Sequence, residues 1–460
     1  MSGEGGPSLP LAAAPGAATL ASPDRLDRPF TDPLVQRLFP PLPTGVHWGL
    51  ERTFGALADL GDPHLAVPVL HVGGTNGKGS VASILSAVLG EGGLRVGLYT
   101  SPHLVSFRER YQVSGRPMSD EALSARASEI RDALERHGLT FFEAATVLGF
   151  HAFARAGLDV LVAEVGLGGR LDATNVVRPL AAAITNVAMD HADFLGDTLE
   201  AIAREKAGIA KPGVPLVTAE TDPALLTVLE RASAARGAPF TAVHPERHLH
   251  DVEVARDHTG FTLDTRAWGR LRLTTPLVGR HQAVNAALAV EVLEHLPPAL
   301  RPDADALRRG MASVRWPGRD QIEVVEGTTW LLDVAHNTAG IGSLVDVLDR
   351  VALPRPRTAL VGVLGDKDWR SMLPPLLRRM DRAVLTQPPT APPERRWDPS
   401  EAAAAVAGME GVPPLVLELD FERAFSAAAE PAGGTVVVTG SVHTVGGALR
   451  LLGKEPFPQG

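Results

Sequence analysis

Apolar positions along the chain fall into two rhythms. Between Asp32 and Glu220, short β-rich runs at 68–72, 95–99, 160–165, 182–186 and 214–218 alternate with stretches of helical periodicity. This alternation predicts a mostly parallel sheet covered by helices on both faces. From His244 to Leu277 the pattern becomes strict alternation, as in Val252-Glu253-Val254 and Leu271-Arg272-Leu273, interrupted by Asp257-His258-Thr259-Gly260. That predicts a small antiparallel β insertion. A helix over Gln282 to His295 follows, then another ending at Val314, then the Pro-Gly linker Arg315-Trp316-Pro317-Gly318-Arg319. Beyond the linker the first rhythm resumes, with strands expected near 329–334, 358–364, 382–386, 414–418 and 435–439. The expected fold class is α/β: a first domain over 30–314 containing the insertion, and a second, Rossmann-like α/β domain over 315–460. Pro388 to Pro399, with five prolines, reads as a surface loop of the second domain.

Composition narrows the class. A chain of 460 residues exceeds what one core usually supports, so two domains are the default. A hydrophobic content of 45% with 21% charged residues is that of a soluble globular protein. The net charge of −9 offers no broad basic surface to nucleic acid or anionic lipid, so neither partner is expected. No cysteine is present, which excludes disulfides and thiolate metal sites and suits a cytoplasmic protein. Residues 1–29, rich in Ala, Pro and Gly with no basic residue before Arg25, read as a disordered tail and not as a secretory signal. No run is long and apolar enough to span a bilayer, and no solenoid-length repeat is found.

The sharpest local signal is Gly73-Gly74-Thr75-Asn76-Gly77-Lys78-Gly79-Ser80, placed after the apolar run ending at Val72 and before a helical pattern from Val81 to Leu89. Strand, glycine turn and helix N-terminus in that order make a cradle of backbone N–H groups for phosphate, so the first domain is of P-loop type. The generic pattern needs a glycine where Val72 stands and a hydroxyl where Gly79 stands. A glycine turn without ligand is the alternative.

Other polar residues gather at expected strand ends, where parallel sheets collect ligands. Glu164 closes the apolar run 160–165, Ser101 follows the strand ending at Tyr99, and His191 follows the run from Ile184 to Asp190. Magnesium takes oxygen ligands, commonly one or two carboxylates with nucleotide phosphates and water. Spacing alone leaves this trio open, because hydroxyl, carboxylate and imidazole are common in loops. Lys206, in a helical string from Ala203 to Ile209, reads in isolation as a solvated lysine. In the second domain Asp333-Val334-Ala335-His336-Asn337 and Gly365-Asp366-Lys367-Asp368 each follow a strand, although an Asp and a His three apart also make a turn-stabilising pair.

The string Gly74 to Ser80 resembles the phosphate loop of the folylpolyglutamate synthase and dihydrofolate synthase family, relatives of the Mur ligases. Thr100-Ser101-Pro102-His103-Leu104, Glu164 to Asn175, and Asn186 to His191 resemble that family's central motifs, in the same order and at matching separations. The resemblance runs from about Gly45 to Gly447. It implies that Thr75, Asn76, Gly77, Lys78, Gly79 and Ser80 bind ATP with Asn285, Arg319 and Asp333, and that Ser101, Glu164 and His191 hold Mg2+. It places His336 near the reacting phosphate and implies a carbamylated Lys206 within the string Glu205-Lys206-Ala207-Gly208-Ile209. For the pterin substrate it points to Gly45, Val46, His47, Trp48, Thr140, Phe142, Leu171, Asp172 and Ala173, with Asp172 offering its carboxylate to pterin amide and amino groups. Trp48 and Phe142 suit stacking, yet each alone reads as core. Thr338 stands where the family has proline and Asp320 where it has an aromatic residue, differences expected to affect loop shape only.

The implied reaction is ATP-dependent ligation of L-glutamate onto dihydropteroate or a reduced folate through an acyl phosphate, by a monomer. The strings Asp333 to Asn337 and Gly440 to Val445 look like those of members with dihydrofolate synthase activity, which favours a bifunctional enzyme. Two alternatives remain. A Mur-type ligase on a UDP-linked precursor would carry a further domain ahead of the loop, for which 72 residues leave no room. A P-loop nucleotide-binding switch would not need Asp333 and His336.

Overall fold

The computed structural model describes residues 33–39, 42, 49–430 and 433–457, so the tail expected at 1–29 and the pterin candidates Gly45, Val46, His47 and Trp48 lie outside the described residues. The first sheet holds β1 (Val69–Gly73), β2 (Val96–Tyr99), β3 (Tyr111–Val113), β4 (Arg116–Pro117), β5 (Val160–Glu164), β6 (Ala181–Ile184), β7 (Leu216–Thr218) and β8 (Phe240–Ala242). Their order is β4-β3-β2-β5-β1-β6-β7-β8, parallel from β2 to β8, with β3 antiparallel to both β2 and β4. β1 is central and buried along its whole length, because both faces of this sheet are covered.

The insertion forms a separate antiparallel sheet of β9 (Leu249–Val254), β10 (Thr259–Thr265) and β11 (Gly269–Thr275). Leu271 and Leu273 of β11 point inward while Arg270, Arg272 and Thr274 are exposed, the period-2 pattern read from the sequence. The helices Arg280–Glu294 and Ala304–Ser313 then return to pack on the helix Lys78–Glu91. Gly310 permits that approach: a Cβ there would lie 2.3 Å from the Val88 Cα. Val88, Leu288, Leu307 and Met311 share one core with β1, β5 and β6.

The third sheet contains β12 (Gln321–Val325), β13 (Thr328–Leu332), β14 (Arg357–Val361), β15 (Arg382–Leu385), β16 (Leu415–Leu417) and β17 (Thr435–Thr439). Its order is β12-β13-β17-β14-β15-β16, parallel except for the β12/β13 hairpin. Its two faces are covered by separate clusters, one around Leu331, Leu344 and Leu373, the other around Leu332, Phe425 and Leu449. The stretch 388–399 departs from the surface loop expected of it. Trp397 is 4% exposed, its indole N–H donates to the Thr386 carbonyl at 2.9 Å, and the segment is thereby stapled to the end of β15.

Candidate active site

The phosphate loop is shaped by contacts that only glycine allows at two positions. Gly74 has φ +133°, and a Cβ there would lie 1.8 Å from the Thr185 Oγ1; Gly77 has φ +82° and caps the helix Lys78–Glu91. The loop is tied to the segment after β6. Thr75 N–H and Asn76 N–H donate to the Asn186 carbonyl and side chain at 2.9 and 3.0 Å, and the Thr185 hydroxyl donates to the Asn76 carbonyl at 2.6 Å. These bonds leave the first amides of the helix, which have no intrahelical acceptor, directed at the cleft. The place of the generic hydroxyl also has a physical explanation. A Cβ at Gly79 would lie 2.4 Å from the Trp316 ring, so the hydroxyl falls to Ser80, whose Oγ is buried without a partner.

One cleft gathers the candidates from both halves of the chain. Its lining includes the loop from Gly74 to Ser80, Ser101, Glu164, His191 and Lys206 from the first sheet's side. Asn285, Arg319, Asp333 and His336 complete it. Glu164 ends β5 and is 4% exposed; among the described residues its carboxylate accepts one hydrogen bond, from the Ser101 N–H at 3.0 Å. Burial pushes its carboxyl up, against the pull of the Lys78 charge and that N–H. A buried carboxylate so thinly satisfied, beside the orphaned Ser80 hydroxyl, fits a divalent cation with nucleotide phosphates. Among the described residues no three His, Asp or Glu side chains form a ready metal cluster, so Ser101 and phosphate oxygens would have to complete the set begun by Glu164 and His191. His191 stands at φ +52°, with burial foremost among the causes that lower its pKa to about 4, so its ring is neutral and can ligate.

Lys206 is not the solvated lysine it resembles in isolation. It is 3% exposed at the end of the helix Leu199–Lys206, and its Nζ donates to the Gly74 carbonyl at 2.9 Å. Burial, helped by the Lys78 charge, lowers its pKa to about 7. The Lys78 Nζ itself rests on the Thr75 carbonyl at 3.0 Å.

Asp190, which the sequence placed in the run Asn186 to His191 without a role, joins the two halves. Asp190 accepts a 2.6 Å bond from Lys367 and a 3.2 Å bond from the Asn337 amide, and lies 3.4 Å from His336 Nε2. Burial pushes its carboxyl up, but the hydrogen bond with His336 and the neighbouring Lys367 charge outweigh that and hold it well below the usual carboxylate range. Asn76 and Asn337 also exchange amide hydrogen bonds at 3.2 and 3.0 Å. Asn337 caps the helix Thr338–Arg350, so threonine in place of proline at its first position leaves the helix start intact. Asp320 does more than shape a loop: it is 1% exposed, lines the cleft, and its N–H donates to Asp333 at 2.9 Å.

The pterin candidates sit apart from this lining. Thr140 is committed to capping the helix Phe141–Ala154, its hydroxyl donating to Glu143 at 2.7 Å. The half-buried Phe142 ring packs on Gly166, where a Cβ would lie 2.2 Å from Cζ. Leu171 is half-buried, and Ala173 is 4% exposed. Asp172, expected to present a carboxylate to substrate, is 4% exposed and spends its oxygens on its own turn. It accepts from the Leu167 N–H at 2.7 Å, the Thr174 N–H at 3.0 Å and the Thr174 hydroxyl at 2.5 Å. Asp172 therefore builds the turn 166–174 in this arrangement, because these donors already claim its lone pairs.

Comparison with known proteins places these features. Residues 72–293 match the Mur ligase middle domain, and residues 318–442 match the Mur ligase glutamate ligase domain. The chain is 36% identical over 340 residues to a dihydrofolate synthase/folylpolyglutamate synthase of Bacillus subtilis, covering 72% of this chain and 78% of that protein. It is 39% identical over 333 residues to a probable bifunctional folylpolyglutamate synthase/dihydropteroate synthase of Haloferax volcanii, covering 71% of this chain but only 39% of that longer protein. Among solved structures, Mycobacterium tuberculosis folylpolyglutamate synthase complexed with ADP superposes with a TM-score of 0.83 at 32% identity, covering 92% of this chain and 98% of that one. Escherichia coli FolC in complex with DHPP and ADP gives a TM-score of 0.79 at 32% identity, covering 93% and 98%.

Proposed function

Because the chain belongs to the folylpolyglutamate synthase/dihydrofolate synthase family of Mur ligases, we propose that it is a bifunctional ATP-dependent ligase adding L-glutamate to dihydropteroate and to reduced folates. The observation that carries this reading is the convergence on one cleft of the phosphate loop, Glu164 and Lys206 with Arg319, Asp333 and His336 from the far side. A free carboxylate is a poor acyl donor because oxide would have to leave. Phosphorylation by ATP supplies phosphate as the leaving group, and the glutamate amine then displaces it. The domains divide in this reading near Val314, with the glutamate-ligase half over 315–460.

Each residue has a part that needs no nucleophile of the protein's own. The loop amides and Lys78 hold the phosphates. Asn285, Arg319 and Asp333 hold the rest of the nucleotide, and His336 stands near the transferred phosphoryl group. Magnesium would be held by Ser101, Glu164 and His191 and would neutralise phosphate charge. Lys206, as a carbamate, would add an anion behind that site. Lys367, paired to Asp190 across the cleft, is a cation that an incoming carboxylate or phosphate can engage when it displaces Asp190. Phe142 and the turn 166–173 receive the pterin. The absence of cysteine supports a cytoplasmic place, and the protein acts as a monomer in this reading.

Acceptor labelled with heavy oxygen in its carboxylate tests the acyl phosphate directly. One labelled oxygen should appear in each phosphate released; unlabelled phosphate with amide product formed would overturn the route.

A further inference from the structure

The chemistry proposed above leaves unused a histidine at the middle of the first sheet. His71 is the third residue of the central strand β1 and is fully buried. An apolar residue would fill that place without cost, whereas the imidazole is desolvated and its Nδ1 has no partner. Its Nε2 lies 2.8 Å from the Thr174 Oγ1.

The direction of that bond follows from the next one. A threonine hydroxyl has one proton, and Thr174 gives it to Asp172 Oδ1 at 2.5 Å. Toward His71 the hydroxyl can only accept, so His71 donates through Nε2–H and keeps a bare Nδ1. This is the neutral tautomer, in keeping with burial, and a smaller contribution from Lys211, pushing the ring's pKa down to about 3. Asp172 in turn receives the Leu167 N–H on its other oxygen, and the Phe142 ring lies against neighbouring Gly166. Donors from β1 and from the turn itself therefore converge on Asp172 and tie β1 to the turn on which Phe142 rests.

We propose that His71 and Thr174 are positioning residues for the acceptor: the relay His71 to Thr174 to Asp172 anchors the turn 166–174 to the central strand and so fixes the surface that receives the pterin. This rests on the reading of Phe142 and that turn as the pterin site. Neither residue touches substrate; both act through Asp172.

The test measures phosphate release by the full chain while dihydropteroate, Mg-ATP and L-glutamate are varied in turn, with melting temperatures recorded alongside. His71→Phe fills the space but cannot donate, and Thr174→Val is nearly isosteric and breaks the same link. Each should raise the KM for dihydropteroate about tenfold, the loss expected for one buried hydrogen bond with its partner left unpaired, and leave the KM for ATP unchanged. His71→Gln, whose amide N–H reaches the position of Nε2–H, should recover most of the loss. Equal rises in both KM values, or none in Thr174→Val, would reduce the relay to a packing feature and overturn the proposal. Phe142→Leu separates the two levels. If it raises the dihydropteroate KM while His71→Phe and Thr174→Val do not, the relay alone falls; if it does not, the pterin reading falls and the relay's role with it.

Discussion

Lys206 demonstrates how far a single residue's meaning depends on its surroundings. Its local sequence offers only helical periodicity, whereas its 3% exposure and its bond to the Gly74 carbonyl put it beneath the phosphate loop. A lysine pKa lowered to about 7 has a definite sign in stability. Below that value the folded state holds a buried ammonium and bears its full cost; as pH rises toward the ordinary value of 10.5 the unfolded chain binds more protons and the cost fades. Carbamylation needs the neutral amine, so carbamate and activity should both decline as pH falls through about 7, and bicarbonate should restore activity just above it. Lys206→Arg, which keeps a proton at any accessible pH, should lose activity on the order of a hundredfold, as when one fixed electrostatic group is removed from a site. Intact mass and steady-state rates check this, and full activity in the arginine variant would return Lys206 to a structural role. No periodicity could have revealed Asp190 or Lys367 in the same way. Their importance lies in a 2.6 Å contact between residues 177 positions apart, which no local pattern encodes.

Among the elements, the strand–loop–helix unit from Val69 to Glu91 is read most directly from the sequence, because glycine spacing and apolar runs constrain it locally. Even there the unusual Gly79 needed the structure: Trp316 of the linker occupies the room a side chain would take. Gly79→Ser would restore the generic hydroxyl, yet it should destabilise the protein by about 1–3 kcal/mol, the usual range for overpacking, and raise the KM for ATP. Thermal melting and nucleotide titration decide it; a variant as stable as the parent with unchanged ATP affinity would mean that the ring moves aside freely. All five strands expected before the insertion and all five after the linker are present within a few residues. The strands not anticipated are β3, β4, β8 and β12. The first three are two or three residues long and lie at or next to the sheet's edges, too short to show a period. β12 follows the Pro-Gly linker so closely that the linker's turn signal masks it. Trp397 was hidden for a different reason: five prolines around it signal a loop, and proline content carries no information about which loop residue is buried.

For the whole molecule, polar contacts that include Lys367 with Asp190, Asn337 with Asp190, and Asn76 with Asn337 bring the third sheet's loops over the phosphate loop. The two βα rhythms were legible; the docking of one half on the other was not, since it is made by polar pairs and by apolar residues such as Leu104 and Val278 that are distant in sequence from the cores they join. Among the described residues no helix is long and apolar enough to cross a membrane. In the proposed reading the phosphate loop, Arg319 and Asp333 hold ATP and the acceptor lies against Phe142 and the turn held by Asp172, so acceptor choice tests that reading most directly. The decisive measurement is the mass of the product when the purified protein, Mg-ATP and L-glutamate are incubated separately with dihydropteroate and with a reduced folate. A bifunctional ligase adds one glutamate residue to dihydropteroate and lengthens the folate by glutamate, with phosphate released in step. Glutamate added to neither acceptor, and instead to a UDP-linked precursor, would contradict the central claim.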